Sequence, residues 1–146
     1  MIDQIGKCTL FKHEPKTHYA LELFSSISAG FPSPAENYSE ETLDLNELCI
    51  NNPPATFFVR VSGESMVNAG IFPGDILVVD RSLEAVSDKI VVVAVEGEFT
   101  VKRLLIKSTE DVWLVPENDD MSPMQLAPSA DTYVWGVVTF VIHQVS

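Results

Sequence analysis

Between Ile90 and Ile106 the chain reads IVVVAVEGEFTVKRLLI, two apolar, β-branched runs joined by Glu96-Gly97. Valine and isoleucine at this density favour extended backbone, and a Glu-Gly pair between two such runs is the chemistry of a tight hairpin turn. A turn there sets the pairing: Val95 opposite Glu98, Val93 opposite Thr100, Val91 opposite Lys102. Side chains alternate along a strand, so Lys102 then shares a face with Thr100, Leu104, Val91 and Val93. Outward from this hairpin, short apolar runs bounded by turn residues recur at Phe57 to Val61, Ile76 to Asp80, Val112 to Val115 and Tyr133 to Ile142. Pro73-Gly74 suits the centre of a type II turn ahead of the second of these. The expected fold is therefore mostly β, a largely antiparallel domain with little helix.

Upstream the pattern changes. Leu43-Asp44-Leu45-Asn46-Glu47-Leu48 carries a helix start: Asp44 caps, Glu47 reaches back, and Leu43 and Leu48 form a hydrophobic staple. Before it, Gly30-Phe31-Pro32-Ser33-Pro34 and the acidic stretch Glu36 to Glu41 read as an exposed, extended linker over residues 30–42, since each proline biases its predecessor away from helix. Residues 1–29 lack a strong period and contain Pro15, so they read as a flexible N-terminal arm with at most one helical turn around Tyr19 to Ile27. The β-rich body is expected over residues 43–146.

The composition narrows the function classes. The chain has 146 residues, which suits one domain, and a net charge of −12. All of that charge lies from Gly30 onward, where 18 acids face 6 bases. Direct nucleic-acid binding is not expected, because it rests on clustered positive charge. Two cysteines, Cys8 and Cys49, make no disulfide framework and suit a reducing compartment. The N-terminus lacks the apolar stretch of a secretory signal, and runs such as Ile90 to Val95 are too short to cross a bilayer. A cytoplasmic location, with no membrane association and no cofactor, is expected.

Two residues stand out from the β pattern. Ser65 lies in Ser62-Gly63-Glu64-Ser65-Met66, after a strand and before Met66 to Gly70, a segment that suits one helical turn ended by glycine. It reads either as the N-cap of that turn or as a nucleophile beside backbone N–H groups able to hold an oxyanion. Lys102 reads either as an edge-strand lysine that blocks aggregation or as a base. An ordinary lysine is uncharged only about one part in a thousand at neutral pH, but apolar surroundings can lower its pKa, by up to about 3–5 units at full burial. No histidine is well placed to activate Ser65: His13 and His18 lie in the arm and His143 at the C-terminal end. A Ser–Lys dyad is the simplest nucleophile–base pair on offer.

Ser62-Gly63-Glu64-Ser65-Met66, Pro73-Gly74-Asp75 leading into Ile76 to Asp80, and Glu98-Phe99-Thr100-Val101-Lys102-Arg103-Leu104 resemble, in this order, the self-cleaving Ser–Lys peptidases of the LexA/UmuD family. Gly30-Phe31-Pro32-Ser33-Pro34 is similar to the segment following the scissile bond in its UmuD-type branch, and Trp135-Gly136-Val137-Val138 to the family's last strand. The resemblance implies a LexA/signal-peptidase-like β domain with Ser65 as nucleophile and Lys102 as general base. It implies backbone N–H groups of Glu64 and Ser65 as oxyanion donors and cleavage of the chain's own Ala29–Gly30 bond. Residues 1–29 are too few for the helix-turn-helix domain of LexA-type repressors, which favours the UmuD-type branch. That branch implies a homodimer whose trimmed form is an accessory subunit of a Y-family polymerase in translesion synthesis during the DNA-damage (SOS) response. A recombinase filament on single-stranded DNA is then the implied activator of cleavage.

Both faces of Tyr133 to Ile142 are apolar: Tyr133, Trp135, Val137, Thr139 and Val141 on one, Val134, Val138, Phe140 and Ile142 on the other. Such a strand is either central and doubly buried or a dimer seam. A metal site from Cys8, His13, His18 and Cys49 is disfavoured by spacing, and Glu117, Asp119 and Asp120 read as a polar turn. The absence of a membrane anchor disfavours a signal peptidase. The rival from another class is a LexA-family β scaffold that binds protein without catalysis.

Overall fold

The computed structural model describes residues 2–5, 8–12, 17, 19–24, 39–126 and 132–146. In chain order, strands β1 (Ile2–Ile5), β2 (Cys8–Lys12), β3 (Leu21–Phe24) and β4 (Ser39–Leu43) precede a short helix, α1 (Leu45–Cys49). After it come β5 (Thr56–Val61), β6 (Ile76–Asp80), β7 (Ile90–Val95), β8 (Glu98–Ser108), β9 (Asp111–Val115), β10 (Met124–Gln125) and β11 (Thr132–Ile142). The predominance of strand agrees with the sequence expectation. The described residues fall into two units, one holding β1, β2 and everything from Asn52 on, the other holding β3, β4 and α1.

The first unit is a nine-stranded sheet in the order β1-β2-β5-β6-β11-β7-β8-β9-β10, with every neighbouring pair antiparallel. The β7–β8 register matches the one read from Glu96-Gly97: Val95 faces Glu98, Val93 faces Thr100 and Val91 faces Lys102. Both turn residues have positive φ, 49° at Glu96 and 81° at Gly97, the backbone of a type I′ turn whose twist suits a hairpin. At Pro73-Gly74 the Asp75 N–H donates to the Phe72 carbonyl at 3.0 Å, and Gly74 takes φ +91°, as the third position of a type II turn requires.

The sheet is buried on both faces at its centre. One cluster includes Val59, Met66, Leu77, Val79, Val92, Phe99, Val101 and Trp135; the other is Val91, Val93, Leu104, Leu114 and Val137. Alternate β7 residues supply both, which explains why Ile90 to Val95 reads as a continuous apolar run. Strand β11 departs from the alternation expected of it. Its register shifts between Val134 and Gly136, and again between Val138 and Phe140. Trp135 and Val137, expected on one face, consequently pack in opposite clusters. A bulge inserts one residue and turns the strand over. Next to the inserted Trp135, a Cβ on Gly136 would lie 2.6 Å from Val79 Cγ1, so a larger residue there forces Val79 to move.

Strands β1 and β2 were not visible as a period in the sequence; β2 exists by pairing with β5 from Cys8–Val61 to Lys12–Phe57. In the second unit the helical turn expected around Tyr19 to Ile27 is replaced at Leu21–Phe24 by β3, paired with β4 through Leu21–Leu43, Glu22–Thr42 and Leu23–Glu41. Pairing with a distant segment overrides the weak local preference. Helix α1 begins as expected, with the Asp44 side chain accepting from the Asn46 N–H at 2.9 Å. The expected scissile bond Ala29–Gly30, most of the 30–42 linker and much of the arm lie outside the described residues.

Candidate active site

Strand β5 delivers the chain to Ser62-Gly63-Glu64, and Ser65 follows. Met66, 2% exposed, is plugged into the larger core cluster and anchors the turn next to the serine. A short 3-10 turn over Val67–Ala69 ends at Gly70, whose φ of 80° closes it as the sequence suggests. The N-cap position of that turn is Met66, without a side-chain cap bond. Ser65 is therefore not the cap that one reading of the sequence allowed. Its Oγ instead donates to the Val101 carbonyl of β8 at 3.3 Å.

Lys102 is the next residue along β8. Its half-buried side chain sends Nζ to Thr100 Oγ1 at 2.9 Å and to the same Val101 carbonyl at 3.3 Å. Its cross-strand partner Val91 is fully buried, as are Val93 and Leu104 on the shared face. The tips of Ser65 and Lys102 thus converge on one oxygen, no more than two hydrogen-bond lengths apart. Beside Lys102 opens a cleft of about 500 Å³, walled by Phe99, Pro116, Met121 and Met124 and by the acidic Glu96 and Glu98. Lys102 forms part of that wall and Ser65, 9% exposed, does not.

The turn bearing Ser65 is held from a segment that the sequence showed only as polar. The Glu117 N–H donates to the Ser65 carbonyl at 2.7 Å, and Asn118 Nδ2 donates to the Glu64 carbonyl at 2.8 Å. The Asn68 N–H returns a bond to the Glu117 carbonyl at 2.8 Å. Glu117 also pairs through its carboxylate with Arg103, the residue after Lys102. Among the described residues, the N–H groups of Glu64 and Ser65 meet no acceptor. These are the two groups expected as oxyanion donors.

Other sequence candidates are less informative. His13 and His18 lie outside the described residues, and Cys49 sits in the second unit with burial pushing its thiol pKa up. Among the described residues no group of three or more His, Cys, Asp or Glu side chains gathers as a metal site. No described helix is long and apolar enough to cross a membrane. His143 is engaged elsewhere, its Nδ1 lying 2.6 Å from the buried Asp75 carboxylate.

A mostly β domain with a serine and a lysine meeting on one carbonyl is the setting in which known proteins become informative. Residues 22–139 match the family described as Peptidase S24-like, and the chain belongs to that family. It is 48% identical to Protein ImpA of Escherichia coli over 127 residues, covering 86% of each chain. It is 49% identical to Protein MucA of Escherichia coli over 114 residues, 77% of each chain. Protein SamA of Salmonella typhimurium is 45% identical over 133 residues, 91% of each chain.

Proposed function

We propose that this protein is a self-cleaving serine peptidase of the UmuD type, with Ser65 as nucleophile, Lys102 as general base and Ala29–Gly30 as the bond cut. The observation that carries the proposal is the convergence of Ser65 Oγ and Lys102 Nζ on the Val101 carbonyl. Membership of a peptidase family supports it.

Uncharged Lys102 takes the proton from Ser65 as Oγ attacks the Ala29 carbonyl carbon. The negative charge that develops on the carbonyl oxygen is received by the N–H groups of Glu64 and Ser65. As the C–N bond breaks, Lys102 returns the proton to the Gly30 nitrogen, leaving an ester between Ala29 and Ser65. Water then attacks the ester, gives a proton to Lys102, and releases the Ala29 carboxylate; Lys102 restores the serine hydroxyl. Enzyme and substrate are one chain, or two chains of a dimer, so a high effective concentration replaces tight substrate binding.

The wider role follows from the UmuD-type resemblance: a homodimer in which arm removal yields an accessory subunit of a Y-family polymerase for translesion synthesis in the SOS response. A recombinase filament on single-stranded DNA would favour the cleavable state. The exposed Phe140, Val141 and Ile142 at the end of β11 supply an apolar surface for the dimer.

The direct test is incubation of the purified chain, with fragment masses measured. Ser65→Ala and Lys102→Ala should each give a folded, uncut protein, whereas the parent chain separates after Ala29. Continued cutting after Ala29 in either variant rejects the dyad. An intact parent chain under all conditions favours the non-catalytic scaffold.

A further inference from the structure

We propose that Asn118 is a positioning residue for oxyanion binding, acting through the Glu64 carbonyl on the Ser65 N–H; the inference deepens the peptidase assignment above and rests on it. A peptide group is planar, with its C=O and N–H directed oppositely. The Glu64 carbonyl and the Ser65 N–H belong to one such plane. Asn118 Nδ2 donates to that carbonyl at 2.8 Å, so its grip sets where the Ser65 N–H points. The following plane is held from the same loop, since the Glu117 N–H bonds the Ser65 carbonyl at 2.7 Å.

The orientation of the Asn118 amide is determined by its surroundings. Its Oδ1 accepts the Asp120 N–H at 2.9 Å, which only the oxygen end can do, so the NH₂ end faces Glu64. The loop itself is fixed at both sides of the site: Asn68 N–H holds the Glu117 carbonyl, and Arg103, adjacent to Lys102, holds the Glu117 side chain. Among the described residues the Ser65 N–H meets no acceptor, which leaves it available to charge that appears during reaction. Donors fixed in direction beforehand stabilise a developing oxyanion without reorganisation at the moment of attack. A bond accepted by the Glu64 carbonyl also polarises the N–H of the same peptide unit.

Two substitutions in the full chain separate this role from a merely structural one. Asn118→Asp keeps the side-chain size and the oxygen that accepts from Asp120, and replaces the donor to Glu64 by a charged acceptor. Asn118→Ala removes both. The readouts are the plateau rate of self-cleavage at high pH, the pH midpoint of that rate, thermal melting, and modification of Ser65 by a small alkyl fluorophosphonate. In the last reaction the serine oxygen displaces fluoride from phosphorus without any need for the arm. Both variants should lower the plateau rate and the modification rate about tenfold or more. Melting should stay at the parent value, and so should the pH midpoint of the Ala variant. Asn118→Asp reacting at the parent rate overturns the proposal while the dyad stands, because the turn alone would then matter. A shifted midpoint with an unchanged plateau in Asn118→Ala also overturns it, by assigning the effect to Lys102. A parent chain that is neither cut nor modified removes the dyad, and the role of Asn118 with it.

Discussion

Thr100 Oγ1 accepts from Lys102 Nζ at 2.9 Å, a bond that favours the charged amine over the neutral one. Thr100→Val keeps the shape and removes the acceptor, so the midpoint of the self-cleavage rate against pH should move down. A rate profile from pH 6 to 10 measures this, and a midpoint that stays or rises contradicts the assignment of Lys102 as the titrating base. At this scale Lys102 was legible because its surroundings follow from one hairpin: the Glu96-Gly97 turn fixes the register, and the register fixes the apolar neighbours. Ser65 was legible as an anomaly only. Its bond to Val101 crosses 36 positions of sequence; elimination of the histidines and then the family resemblance, not spacing, paired the two residues. Asn118 lies 54 positions from the carbonyl it holds, and no local pattern in a polar turn announces such a contact.

Strand β11 shows what alternation alone cannot carry. Its apolar residues are buried only at the centre, the two register shifts reassign faces, and the signal for the first was a single glycine between Trp135 and Val137. A glycine inside a strand marks a bulge or a close approach, and Gly136 does both. Gly136→Ala should cost about 1–3 kcal/mol through its contact with Val79, seen as a lower denaturation midpoint at unchanged slope. A midpoint equal to the parent value would show that the neighbouring side chains yield freely. Trp135 adds to the rigidity here: its ring centroid lies 5.2 Å from those of both Phe57 and Phe99, and the Arg81 guanidinium carbon lies 4.6 Å from its ring. By contrast, β1 and β2 left no readable trace. A strand that forms by extending an existing edge needs a partner more than a periodic pattern of its own.

At the scale of the molecule, β11 lies between β6 and β7, and its centre, Trp135 to Val137, is buried within one chain. Its end is not: Phe140 is 36%, Val141 39% and Ile142 51% exposed, and Phe72 nearby is 42% exposed. The buried centre agrees with the doubly buried reading; the dimer seam stays part of the proposal, with this apolar end as the surface it would use. Sedimentation at micromolar concentration should give about twice the 16.1 kDa chain mass, and Ile142→Asp should shift the protein toward monomer. A parent chain that sediments as a monomer contradicts the dimer. The domain boundaries depend on the arm and the linker, and only the cleavage reaction probes them directly. The most direct measurement is the rate and fragment mass of self-cleavage across pH 7 to 10, without any activator. Expected are two products, residues 1–29 and 30–146, formed faster as the pH rises toward the titration of Lys102. A flat rate, or a cut at any other bond, would contradict a neutral Lys102 activating Ser65 against Ala29–Gly30.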